Sequence, residues 1–97
     1  MASRHVNQLR FHKKFAARAY SLLTTGEQRF GFPNAAHRPL AELSPEELFE
    51  WCQELVARLS DLARVLAATV LTVDREPAAE LLAQVTKLLA AFNAGCI

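Results

Sequence analysis

Ninety-seven residues, 52% hydrophobic and 22% charged, describe one folded domain and exclude both a two-domain chain and a disordered one. Eleven basic residues against ten acidic ones leave a formal net charge of +1, so the chain as a whole is neither a polycation nor a polyanion. Seventeen Ala and fifteen Leu, against six Val, one Ile and five Thr, favour helix over sheet.

Glycine and proline, the strongest breakers of regular structure, fall at Gly26, Gly31, Pro33, Pro39, Pro45, Pro77 and Gly95. They leave three uninterrupted segments, roughly 3–25, 45–73 and 77–94. The expected fold is all-α: one domain over 1–97, a small bundle of three helices whose last two form a long antiparallel hairpin.

In the first segment, Leu9, Ala16, Ala19, Tyr20 and Leu23 cluster at helical spacing, and Phe11, Phe15 and Leu22 widen the arc. Arg10, Lys13, Lys14 and Arg18 take the opposite side. Thr25-Gly26 is the expected stop.

Residues 26–43 are then expected to be irregular, an 18-residue connection that is long for a small domain. Phe30, Phe32, Leu40 and Leu43 argue against disorder, because they need cover; the plain expectation is a loop lying over the bundle. Arg29-Phe30-Gly31-Phe32-Pro33 also has the composition of an interaction hot spot, two aromatics and an arginine around a turn.

The second segment opens with Ser44-Pro45-Glu46-Glu47, a capping box with proline at the first helical position. Behind it Leu48, Cys52, Leu55, Leu59, Leu62, Leu66, Thr69 and Val73 repeat at alternating spacings of four and three. Val56, Ala63 and Val70 broaden that seam beyond what a two-stranded coiled coil needs, as suits a helix with two neighbours. The third segment continues with Ala78, Leu81, Val85, Leu88 and Phe92, flanked by Leu82 and Leu89, and Gly95 is placed for a left-handed cap. Asp74-Arg75-Glu76-Pro77 is the expected connector. The third segment is too short to cover the start of the second, so Leu48, Phe49 and Trp51 need another cover: segment one, the aromatic loop, or a second copy. A homodimer centred on Leu48, Phe49 and Trp51 is therefore expected.

Charge is unevenly divided. Residues 1–40 hold seven Lys/Arg and one acid, Glu27, whereas residues 41–97 hold four basic and nine acidic residues. Two readings follow. The basic face of segment one either pairs with Glu46, Glu50, Glu54 and Asp61 of segment two, or faces solvent to meet phosphate or an acidic protein.

Chemistry finds little footing. His5 and His12 are seven apart, about 10 Å along a helix, too far to share a metal ion, and His37 lies in the loop. No phosphate loop, nucleophile elbow or close Cys–His arrangement occurs. No catalytic residue, metal or cofactor is expected, and the chain is read as no enzyme. Cys52 on the apolar seam behaves as a small hydrophobe. Cys52 and Cys96 form no framework, which fits a reducing cytoplasm; the start lacks a signal-peptide core, and charges interrupt the greasiest stretch too often for a membrane span.

The expectation is a protein-binding regulator, adaptor or inhibitor that occupies a partner's surface. Its contact residues would be Arg10, Lys13, Lys14, Arg18, Arg29, Phe30 and Phe32. A nucleic-acid-associated protein using the basic stripe, and a structural subunit that self-associates, remain as alternatives.

Overall fold

The computed structural model describes residues 3–33, 38–72 and 75–95, with side chains from Gln8 onward. The chain folds as a bundle of three α-helices: α1 (Ser3–Phe30), α2 (Pro45–Thr69) and α3 (Arg75–Ala94). A single 3₁₀ turn (Leu40–Glu42) precedes α2. No strand occurs among the described residues.

Three boundaries differ from those read in the sequence. Helix α1 runs through Gly26 to Phe30, so the start of the expected loop is helical. The actual stop is Gly31, at φ +70°, which only a residue without Cβ adopts at low cost. Its N–H donates to the Glu27 carbonyl at 3.0 Å, closing the helix with a left-handed cap. Helix α2 ends at Thr69, and Leu71 and Thr72 continue it only as tighter turns bonded to Ala68 and Thr69. Helix α3 begins at Arg75, ahead of Pro77, because a proline in the first turn lacks an N–H that would have no helical partner there. Val73 and Asp74, the expected seam end and cap, lie outside the described residues.

The start of α2 matches its sequence. Ser44 Oγ accepts the Glu47 N–H at 3.1 Å, and Glu47 Oε1 accepts the Ser44 N–H at 2.9 Å. The Ser44 backbone and hydroxyl, followed by the nearby Arg38, hold the Glu47 carboxyl below its ordinary range. Gly95 ends α3 at φ +69°.

The core is the predicted seam. Leu48, Cys52, Leu55, Leu59, Leu62 and Leu66 of α2 are fully buried with Phe15, Ala16, Ala19 and Leu23 of α1. Ala78, Leu81, Val85 and Leu88 of α3 complete it. Tyr20 departs from the expected cluster: it lies at the rim of the α1 stripe and is 36% exposed.

Helix directions follow from three contacts. Near the start of α1 and α2, the His12 carbonyl accepts from Cys52 Sγ at 3.4 Å; further along both, Gly26 lies against Leu62. Helix α3 runs the other way, bringing Phe92 at its end back to Phe15, with ring centroids 4.3 Å apart. Helices α1 and α2 are therefore parallel, and α3 is antiparallel to both. A parallel pair cannot be closed by a tight turn: the chain must return about 27 Å, the rise from Ser44 to Leu62, before α2 can start. That return explains the long connection. Phe32, Leu40 and Leu43 pack on the core along it, and Arg38 lies over the Trp51 ring, 5.6 Å from its centroid.

Candidate functional site

Arg10, Lys13, Lys14 and Arg18 are all exposed on α1. Among the described residues, none of them comes within 4 Å of a carboxylate. Two of the α2 acids are engaged along their own helix instead, Glu54 with Arg58 at 3.6 Å and Asp61 with Arg64. The proposed cross-helix pairing with Glu46, Glu50, Glu54 or Asp61 is thus not formed.

Arg10, Lys14 and Arg18 stand four residues apart, one cation per turn. Like charges at this spacing disfavour a helix by about 0.2–0.5 kcal/mol per pair. The first turn of α1 also carries no acid to offset its dipole. The fold holds this row in place by burying the opposite stripe, and among the described residues gives it no counter-ion.

The other candidate residues are dispersed. Arg29 is exposed, but Phe30 and Phe32 are half-buried against the core, which turns much of the aromatic loop inward. Leu48 is fully buried within the chain, and Trp51 is half-buried beneath Arg38. Only Phe49 of the expected dimer residues is open to solvent, at 48%. The start of α2 is covered by segment one and by the return connection together.

Phe49 belongs to an aromatic cluster where the three helices meet. The His12 ring lies edge-on to Phe49 at 5.4 Å and to Phe11 at 5.6 Å, while Phe92 stacks on Phe11 at 5.5 Å. Burial lowers the His12 pKa below its ordinary value. The Cys52 thiol beneath is pushed up to about 12 by burial, so it is a protonated packing group and no nucleophile. His5 and His37 contribute no described side chain.

Two open grooves cross the surface. The first, of about 550 Å³, runs between the starts of α1 and α2, with Leu9, His12, Pro45 and Phe49 along it and Glu46 and Glu50 at its edge. The second lies between α1 and α3 on a floor of Leu22, Leu88 and Ala91. Arg18 stands on its α1 lip and Lys87 on its α3 lip. Sequence reasoning did not unite Arg18 with Lys87. Each reads as exposed on its own helix, and only the antiparallel register of α1 and α3 places them on one groove.

Among the described residues, no three of His, Cys, Asp and Glu are arranged to hold a metal ion. No helix of the described residues is long and apolar enough to cross a membrane. No family model matches the chain, and neither a curated protein nor a solved structure matches it.

Proposed function

We propose that the chain is a non-enzymatic regulator, adaptor or inhibitor in the reducing cytoplasm, acting by occupying a partner protein with the basic face of α1. The observation that carries this reading is the row of Arg10, Lys14 and Arg18, with Lys13 beside it, exposed and with no carboxylate within 4 Å among the described residues. A row that costs helix stability and contributes nothing to packing is accounted for by an anionic surface that meets it. The free thiol of Cys52 suits a reducing compartment.

The test is charge reversal. Lys13→Glu with Lys14→Glu should abolish capture of the partner from a native extract while leaving the melting temperature nearly unchanged, since no ion pair is broken. A drop of several degrees, narrowed by added salt, would return these lysines to a structural role.

The same exposed face gives nucleic acid as the second reading. That reading requires affinity for duplex DNA to fall with salt at a log–log slope near −0.9 per phosphate neutralised. Self-association through Phe49 is the third, and requires light scattering to give about twice the 10.8 kDa chain mass.

A further inference from the structure

Resting on that protein-binding reading, we infer that the groove between α1 and α3 seats an acidic amphipathic helix of the partner, apolar side chains on Leu22, Leu88 and Ala91, carboxylates toward Arg18 and Lys87. Three features select this occupant. The floor is aliphatic: Leu22 and Ala91 are half-buried and Leu88 is 5% exposed, so a partner must bring apolar atoms to fill it. Both lips are cationic, and no residue lining the groove is acidic. The charge extends beyond the groove, because Arg10 and Lys14 continue the Arg18 row toward the start of α1. A helix bearing one carboxylate every fourth residue repeats at about 6 Å, the same rise as that row.

The same features disfavour nucleic acid as the occupant. Single strands are held by stacking on aromatic rings, and none lines this groove. Duplex backbones need cations but have nothing to place on an aliphatic floor.

The inference is tested with two labelled peptides of about 15 residues, long enough to approach helicity. One carries leucine at every third or fourth position with glutamate between; the other keeps the glutamates and replaces each leucine by serine. Fluorescence anisotropy at physiological salt should show the leucine peptide binding about tenfold or more tightly than the serine peptide. Lys87→Glu, far from the α1 row in sequence, should weaken the leucine peptide about tenfold. Ser21→Trp, which fills the groove from an exposed position and keeps every charge, should abolish the preference for leucine. Thermal melting of both variants should match the wild type, because Ser21 and Lys87 are exposed.

Failures separate cleanly. If Lys13→Glu with Lys14→Glu abolishes binding of both peptides, and Lys87→Glu and Ser21→Trp change nothing, the groove inference falls and the basic-face reading stands. If neither peptide binds but a duplex oligonucleotide does, both fall in favour of nucleic acid. If neither class binds, the inference is overturned, and a doubled mass by light scattering would then favour self-association.

Discussion

Gly26 lies so close to Leu62 that a Cβ added at position 26 would stand 2.9 Å from Leu62 Cδ1. At this contact, in the interior of α1, the first helix presents bare backbone to the Leu62 side chain of the second. It fixes the parallel pairing of α1 and α2, and with it the long return that lays Phe32 and Arg38 over the bundle. Glycine here is a packing residue, kept at a cost of about 1 kcal/mol in helix propensity.

The first prediction follows from that distance. Gly26→Ala gains helix propensity but drives a methyl group into Leu62, which is fully buried and has no solvent to move into. Overpacking of this kind typically costs about 1–3 kcal/mol, so a net loss of about 1 kcal/mol is expected, and a larger loss for Gly26→Val. Leu62→Ala alone should cost about 2–5 kcal/mol. Combined with Gly26→Ala it should cost less than the sum, since the new methyl fills part of the cavity. Additive effects in a double-mutant cycle by chemical denaturation would place Gly26 away from Leu62.

How much of this was legible depends on which interactions are local. The capping box of Ser44 and Glu47 and the alternating leucines of α2 are written in neighbouring residues, and the structure keeps them as read. Gly26 was misread because a glycine that ends a helix and one that lets two helices touch look alike in sequence. The distinction lies in Leu62, far along the chain. The return connection was legible as a length but not as a direction. Arg18 and Lys87 come together only through the register of α1 against α3, which neither helix encodes alone.

Capping and core positions should separate by magnitude. Ser44→Ala removes the hydroxyl that accepts the Glu47 N–H, leaving the backbone half of the capping box, and should cost about 1 kcal/mol. Leu59→Ala empties a site with no exposed surface and should cost about 2–5 kcal/mol. Thermal denaturation of the two variants side by side gives the comparison. A serine variant less stable than the leucine variant would mean that the α2 seam is not the centre of the core.

Gly31 provides a control for Gly26. Nothing lies within 4 Å of a Cβ added at Gly31, so Gly31→Ala should cost only the left-handed backbone, about 1–2 kcal/mol. Removing neighbouring side chains should not rescue it, in contrast to Gly26→Ala.

Cys52 should be chemically silent until the protein opens. Its thiol is buried, donates to the His12 carbonyl, and is pushed up to about 12, leaving almost no thiolate at about pH 8. In a Cys96→Ser background, a chromogenic disulfide reagent should label Cys52 only at the rate of unfolding. Immediate stoichiometric labelling would contradict the packing of α1 on α2.

His12 should make stability fall as the solution is acidified. Its ring is packed among Phe11, Phe49 and Phe92, and burial lowers its pKa below the ordinary 6.5. Glu46 and Glu50 line the adjoining groove and favour the cation, but the lowered value means that loss of water outweighs them. The unfolded chain therefore binds the His12 proton more tightly than the folded chain does. The resulting stability is full above about pH 6.5 and is lost as pH falls from there toward the folded-state value; below both values it changes no further. His12→Phe keeps a ring in the cluster and removes the proton site, whereas His5 and His37 stay in both proteins. Melting temperatures at about pH 7.5 and about pH 5.5 should therefore drop more for the wild type than for His12→Phe. Equal drops would assign the acid sensitivity elsewhere, and a wild type that gains stability in acid would place His12 against the carboxylates of Glu46 and Glu50 instead of the aromatic rings.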